Sequence, residues 1–446
     1  MNAFKAYDIR GVYNRDFNAE DVYRIGFNLP VLLKTGKVLV GRDVRESTGE
    51  IFEALCRGIN DAGADVYDMG LSTTPMVYFG TAQFGFDASV QITASHNPKE
   101  YNGLKVSKTG ALPVGYYSGL SELERMMSEN EPAPKQKKGT VRPIDVKTEY
   151  LRFLSAYVPE NLDTLNISVD CSNGMASLFV HELLGVEPHY LFDTLDGTFP
   201  NHAPNPLEEE NVADLKAAVM KNHSDLGIIF DGDADRVMFV DERGQFIPPD
   251  FIIGVLGRYF LEKEKGNVLQ DIRTSRSVSE YIQKLGGTPH TWKVGHAFAK
   301  LKMRELNAVF GGELAGHYYF RDFYNCDSGI FAALLVLQVL LKWKDQGGSF
   351  SSLIDEIRTY ANSGEINFKI EEKEAAMEAL KEHFTAAEPP QALLDFDGYR
   401  IEYPEWWFNV RPSNTEPYLR LVVEARTDSV LKNKLNEIRE VLGRFE

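Results

Sequence analysis

The chain has 446 residues, 43% of them apolar, which is ordinary for a globular protein but too long for one core, so about three or four domains are expected. A formal net charge of −17 disfavours broad binding to nucleic acid or anionic lipid and leaves any anionic substrate dependent on locally gathered cations. Three cysteines (Cys56, Cys171 and Cys326), widely separated and without CxxC spacing, argue against a disulfide framework or a zinc site.

In chain order, Ala-Tyr-Asp-Ile-Arg-Gly at 6–11 places Tyr7 and Arg10 beside Gly11, where the chain can turn close to a ligand. The interleaved charge of these residues does not resemble a signal segment, so a cytoplasmic setting is expected. An apolar run at 37–43 predicts a strand, Ile51, Leu55 and Ile59 predict a helix by their spacing, and 64–70 predicts a second strand. A further β-rich run at 88–93 leads into Thr-Ala-Ser-His-Asn-Pro. Ser95 then lies between a strand end and a turn holding His96, Asn97, Pro98 and Gly103, and its hydroxyl is expected to project where a ligand can reach it.

Residues 132–142, rich in Pro, Lys and Gly, read as a linker, with weaker linkers near 243–249 and 363–367. Between them the strand and helix plan recurs twice. The first recurrence has strands at 166–170, 188–192 and 226–230 with helices through Leu183 and over 212–221. The second has strands at 267–271, 288–293 and 308–310 with helices near 278–285 and from Ala297. Such repeats predict α/β units with parallel strands, whose ligands bind beyond the carboxyl ends of the strands. The apolar run at 330–341 contains Gln338 and falls short of the roughly 20 residues that span a bilayer, so it reads as a buried helix. The remainder has a strand, a helix at 372–384, strands around 397–410 and 418–425, and a closing amphipathic helix, which describes a smaller α+β domain. The expected domains are 1–142, 143–245, 246–364 and 365–446.

Three clusters carry further chemistry. Asp231, Asp233 and Asp235 follow an apolar strand and precede Arg236. Fully extended, the outer carboxylates would stand about 13 Å apart, so the loop must curl at Gly232 before its hard oxygens can hold Mg²⁺. A calcium loop fits poorly, because Arg236 stands where its sharp turn needs glycine and strands flank the segment. Gly-Gly-Glu-Leu-Ala-Gly-His at 311–317 offers Glu313 to sugar hydroxyls and His317 as an acid or base, while Lys293 and His296 add donors at a neighbouring strand end. Each of these four residues also has a purely structural reading. Arg-Pro-Ser-Asn-Thr-Glu-Pro at 411–417 gathers Arg411, Ser413, Asn414 and Thr415 as anion donors, or is an ordinary hairpin connection. The chain has no Walker A loop, GxGxxG fingerprint, GxSxG elbow or HExxH helix.

Taken in order, these motifs resemble the α-D-phosphohexomutase superfamily over essentially the whole chain, and within it the bacterial phosphomannomutase/phosphoglucomutase branch. The resemblance implies three related α/β domains and a C-terminal α+β phosphate-binding domain around a central cleft. It implies a phosphoserine at Ser95, Mg²⁺ held by Ser95, Asp231, Asp233 and Asp235, and Arg10, His96, Lys105 and Arg236 around the reacting phosphoryl group. His317 becomes a proton-transfer group. Tyr7, Lys293, His296 and Glu313 lie on the substrate side, and Arg411, Ser413, Asn414 and Thr415 form a distal phosphate clamp. Ala315 stands where the family loop usually has serine, so one hydroxyl contact to the sugar is lost.

The implied reaction interconverts hexose 1-phosphate and hexose 6-phosphate, with mannose or glucose as the sugar, through a hexose 1,6-bisphosphate that also serves as activator. The implied protein is a monomer or homodimer in the cytoplasm, with no nucleic-acid or membrane partner. A phosphoglucosamine mutase, a magnesium-dependent sugar phosphatase and a non-catalytic sugar-phosphate sensor are the rival readings.

Overall fold

The computed structural model describes residues 2–129, 131–413 and 418–445. Four sheets divide the chain. The first runs edge to edge through Ile9–Val12, Tyr101–Lys108, Ala88–Ile92, Lys37–Arg42, Asp65–Leu71 and Val141–Pro143. The second runs through Phe246–Ile247, Val237–Asp241, Leu226–Phe230, Ile167–Asp170 and His189–Leu191. The third runs through Thr288–Trp292, Asn267–Asp271, Phe310–Gly312, Tyr318–Phe320 and Cys326–Asp327.

These three sheets share one device that bears on function. In each, a parallel core ends in a strand that turns back as an antiparallel neighbour: Ala88–Ile92 into Tyr101–Lys108, Leu226–Phe230 into Val237–Asp241, and Phe310–Gly312 into Tyr318–Phe320. The loops at these three reversals carry Ser95, the three aspartates and Glu313. The expectation of parallel strands is thus corrected, because each parallel core continues into an antiparallel extension.

Other expectations shift for identifiable reasons. Gly103 lies inside the strand Tyr101–Lys108 and not in the turn; a Cβ there would fall 2.2 Å from the Ile9 carbonyl oxygen, so close strand approach explains the glycine. The segment read as a linker at 363–367 lies within the strand Ala361–Lys369, and its Ser363-Gly364 pair marks a bulge between Asn362 and Glu365. At 243–249 the chain makes a hairpin turn at Gly244 (φ 73°), and Phe246–Ile247 stays with the second sheet. The end of the 132–142 linker joins the first sheet as the edge strand Val141–Pro143. The strand expected at 308–310 begins two residues later, as Phe310–Gly312.

Side chains from the first three domains merge into one continuous hydrophobic core. Its centre is the helix Gly329–Lys344, capped by the Ser328 hydroxyl, which accepts from the Phe331 N–H at 3.2 Å. Leu334, Leu335, Leu337 and Leu340 are fully buried there, each contributing about 1.5–3 kcal/mol.

The fourth sheet is antiparallel throughout, in the order Ala361–Lys369, Tyr418–Ala425, Trp406–Pro412, Tyr399–Glu402 and Ala392–Leu394, and has its own core. Hydrogen bonds tie it to the third domain. Arg400 Nη1 donates to the Ile272 and Thr274 carbonyls at 2.8 and 2.7 Å, and the Val294 N–H donates to Asp397 Oδ2 at 2.8 Å. Among the described residues, no helix is long and apolar enough to cross a membrane.

Candidate active site

The reversals of the first two sheets bring Ser95 against the acidic loop. Ser95 adopts a left-handed φ of 50°, unusual for a residue with a Cβ, and its Oγ donates to Asp231 Oδ2 at 2.7 Å. The loop of Asp231, Asp233 and Asp235 does curl, and one oxygen from each carboxylate lies within 4.8 Å of the others. Gly232 is not the residue that takes the left-handed conformation; Ala234 does so, at φ 58°. Glycine is needed at 232 because a Cβ would fall 2.5 Å from the Ser95 carbonyl oxygen. Ser95 itself is 1% exposed, against the expectation of an accessible hydroxyl. Its hydroxyl has polar neighbours, however, with Asp231 on one side and His96 Nδ1 at 3.4 Å.

Cations converge on this centre. Lys105 Nζ donates to Asp233 Oδ2 at 2.7 Å and Asp235 Oδ2 at 2.6 Å. Burial works against its charge, but Asp233 and Asp235 outweigh burial and push its pKa up. Arg10 pairs with Asp8 and donates to Asn97 Oδ1 at 2.9 Å. Burial opposes its charge as well, and Asp8 and Asp233 more than offset it. Arg236 donates from its backbone N–H to Asp231 Oδ1 at 3.2 Å and from Nε to His317 Nε2 at 2.9 Å.

Burial, Asp233 and Asp235 together hold Asp231 well above the ordinary carboxyl range. Burial and the neighbouring Arg236 and Arg10 hold His96 well below its ordinary value, so its imidazole is neutral. Asp233 Oδ1 and Asp235 Oδ1 are buried without a hydrogen-bond partner, and such orphaned hard oxygens fit a bound cation. The cluster can hold a metal ion.

The third reversal holds Glu313 and His317. Glu313 is 2% exposed and accepts from the Gly295 N–H at 2.6 Å and the Tyr319 hydroxyl at 2.5 Å, so both of its oxygens already have protein donors. His317 takes Arg236 at Nε2 and lies 2.7 Å from Asp327 Oδ2 at Nδ1. Proton transfer through His317 therefore requires one of these contacts to open. Tyr7 from the first domain donates to the Val294 carbonyl at 3.2 Å and packs edge-on against His296 and Phe298. Burial, then Glu313 and Asp397, push the Tyr7 phenol up to about 12.

Arg411 reaches Asp397 Oδ1 at 3.5 Å, and burial together with the nearby Arg273 guanidinium disfavours its charge. Arg273 is itself paired with Asp271 Oδ2 at 2.7 Å, so Arg411 is the guanidinium whose charge a bound anion would favour. Ser413 follows Arg411 and donates its backbone N–H to the Tyr418 carbonyl. Lys293 Nζ stands 4.7 Å from the Phe298 ring centroid, and Asn414 and Thr415 lie outside the described residues.

Further supports for the site come from residues outside these motifs. Thr74, at the start of the helix Thr74–Gln83, donates its hydroxyl to Asp233 Oδ2 and its N–H to the Asp233 carbonyl. Asp327 is flanked by His317 and by Lys300, whose Nζ is 2.8 Å away, and both members of this ion pair are fully buried. These partners come from distant segments and carry no local signature. A cavity of about 350 Å³ lies between the third and fourth domains, lined in part by Asp250, Arg273, Leu314 and Glu365, and includes none of the expected site residues.

Four protein families match the chain in succession. They are described as phosphoglucomutase/phosphomannomutase alpha/beta/alpha domain I at residues 1–131, domain II at 148–244, domain III at 248–360, and the C-terminal domain at 365–441. A phosphomannomutase of Escherichia coli is 40% identical over 99% of both chains. Proteins named phosphohexose mutases from Xanthomonas campestris pv. campestris are 38% identical, again over 99% of both. The crystal structure of a phosphoglucomutase/phosphomannomutase family protein from Burkholderia thailandensis superposes with a TM-score of 0.86, at 29% identity, over 99% of this chain and 97% of that one.

Proposed function

The chain belongs to the phosphoglucomutase/phosphomannomutase family and is a hexose-phosphate mutase, and from that premise we propose that Ser95 carries the phosphoryl group it transfers. The observation that carries this assignment is the 2.7 Å contact between Ser95 Oγ and Asp231 inside a buried cluster of three carboxylates.

In the proposed reaction, the free hydroxyl of a hexose 1- or 6-phosphate attacks the phosphorus of phospho-Ser95. The Ser95 Oγ–P bond breaks as the sugar O–P bond forms, leaving a hexose 1,6-bisphosphate. The attacking hydroxyl gives up a proton, and Ser95 Oγ recovers one. Asp231 lies within hydrogen-bond reach of that oxygen. The bisphosphate turns over in the cleft, and Ser95 takes back the other phosphoryl group.

Phosphoserine carries about −1.5 to −2 charge at neutral pH, which three aspartates alone would repel. We assign Ser95, Asp231, Asp233 and Asp235 as the residues that hold Mg²⁺, which when bound supplies charge neutralisation to the phosphoryl oxygens. Arg10, Lys105 and Arg236 add positive charge around the same group, and His96 stands beside it as a hydrogen-bonding partner. Arg411 with Ser413, and with Asn414 and Thr415 beyond it, receives the distal phosphate. Glu313, Tyr7, Lys293 and His296 line the substrate side, and His317 fixes Arg236 and stands as the proton-transfer candidate of the third loop. Because both substrate orientations meet one clamp, its contacts recognise phosphate and not a particular end of the sugar.

Mannose and glucose phosphates are the proposed substrates, converted in a reducing cytoplasm, a setting supported by three buried free cysteines. The protein acts as a monomer or homodimer without nucleic-acid or membrane partners. Side-by-side turnover of mannose, glucose and glucosamine 1-phosphates tests the sugar assignment. Stoichiometric release of inorganic phosphate in place of isomerised sugar would establish the phosphatase reading instead, and wild-type turnover by Ser95→Ala would overturn the assignment of Ser95.

A further inference from the structure

We infer that Arg45, which touches neither the carboxylate cluster nor the clamp, is the positioning residue that imposes the conformation of the Ser95 loop. The inference rests on the phosphoserine reading. A guanidinium has five N–H donors in a fixed planar fork, and at Arg45 all five are committed. Nη2 donates to the carbonyls of Ser95 at 2.8 Å and Asn97 at 2.7 Å. Nη1 donates to those of Pro98 at 2.7 Å and Tyr101 at 3.0 Å. Nε donates to Asp43 Oδ2 at 3.1 Å, and that carboxylate is held in turn by the Thr48 hydroxyl at 2.9 Å.

Four carbonyls from seven consecutive residues therefore point at one cation. Aligning them this way bends the chain around the guanidinium and places Ser95 at φ 50°, a conformation that L-residues avoid without external support. The same Ser95 carbonyl abuts Gly232 of the acidic loop, so Arg45 fixes the register between the hydroxyl and the metal-binding carboxylates.

The second domain seals the arrangement. The Arg45 side chain is fully buried, Phe199 covers its guanidinium at 5.0 Å, and Gly197 approaches so closely that a Cβ would fall 2.7 Å from the Arg45 Cα. In a dry site each charge-assisted hydrogen bond is strengthened, and a lysine has neither the fork nor the number of donors to replace them.

The test compares Arg45→Lys and Ser95→Ala with the wild-type protein, using glucose 1-phosphate as substrate and glucose 1,6-bisphosphate as phosphoryl donor. For Arg45→Lys the expected result is a kcat lower by roughly 10²-fold with KM within about threefold of wild type, since displacing a reacting group by about 1 Å has that effect. Phosphorylation of Ser95, followed by intact mass, slows in parallel. A folded Arg45→Lys with wild-type kcat, or with only KM altered, overturns the inference. Should Arg45→Lys fail to fold, Asp43→Asn leaves the guanidinium in place with a neutral partner. A fall in kcat of about tenfold at unchanged KM then supports the inference, and an unchanged kcat overturns it. Full turnover by Ser95→Ala would remove the phosphoserine reading and the inference together, whereas an inactive Ser95→Ala beside a fully active Arg45→Lys removes the inference alone.

Discussion

Gly232→Ala is the sharpest perturbation of the contact between the two central loops. The added methyl would stand 2.5 Å from the Ser95 carbonyl oxygen, whereas ordinary carbon to oxygen contacts begin near about 3.3 Å, so a displacement of about 0.8 Å is required. The φ of Gly232 lies outside the left-handed region, so alanine meets no backbone penalty and the effect is purely steric. The acidic loop cannot easily retreat, because Gly174 packs behind Gly232 and the Met175 N–H donates to the Gly232 carbonyl at 2.9 Å. Ser95 must therefore move away from Asp231. Overpacking of this kind costs about 1–3 kcal/mol in stability, and the shifted nucleophile is expected to lower kcat by roughly 10²-fold. Steady-state kinetics with glucose 1-phosphate, alongside a thermal melt, measures both effects. A folded Gly232→Ala with kcat within about threefold of wild type would refute the reasoning.

Three further outcomes are expected. Burial raises the Asp250 carboxyl from an ordinary 3.8 to about 7, so the folded state binds this proton more tightly than the unfolded chain and stability falls as pH rises between those values. Asp250→Asn removes that loss, and its advantage in urea denaturation should grow from about pH 5 to about pH 8 towards roughly 4 kcal/mol at most; a pH-independent difference would contradict the assignment. Arg411→Ala should raise KM by about 10- to 100-fold with kcat little changed, because a charge-assisted phosphate contact is lost, and a wild-type KM would count against the clamp. Exhaustive chelation should abolish turnover, and Mg²⁺ at about 100 times its Kd should then restore it and add about 2.7 kcal/mol of stability. At one fixed Mg²⁺ concentration the gain should increase with pH, since Asp231 is held above its ordinary value, so that protons compete with the cation less as pH rises. Undiminished activity without metal would reject the cation.

The strand ends that carry the chemistry were legible because each is an apolar run broken abruptly by polar or glycine-rich residues. Leu226–Phe230 before Asp231 is of this kind, whereas the apolar residues at 308–310 mark the strand before Glu313 but misplace its end, because Gly311 and Gly312 belong to the strand. The antiparallel return strands were not legible, since a buried apolar run such as Val237–Asp241 carries no mark of direction. The Ser363-Gly364 bulge reads as a linker in the sequence because Gly and Ser punctuate both. Within the site, residue types announced themselves where they cluster, as in the aspartate triplet. They stayed hidden where partners come from distant segments: Thr74 with Asp233, Lys300 with Asp327, and Arg45 with the carbonyls of the Ser95 loop. The burial of Ser95 and the full occupation of Glu313 depend on how the domains pack around them.

The central claim is a covalent shuttle through Ser95, and label transfer tests it most directly. Protein phosphorylated with isotopically labelled hexose 1,6-bisphosphate is isolated, the labelled residue is located by peptide fragmentation, and unlabelled hexose phosphate is added as a chase. The account predicts label on Ser95 that passes quantitatively into sugar phosphate, with none in inorganic phosphate. Label on another residue, or label that passes to water while the sugar stays unlabelled, would contradict it.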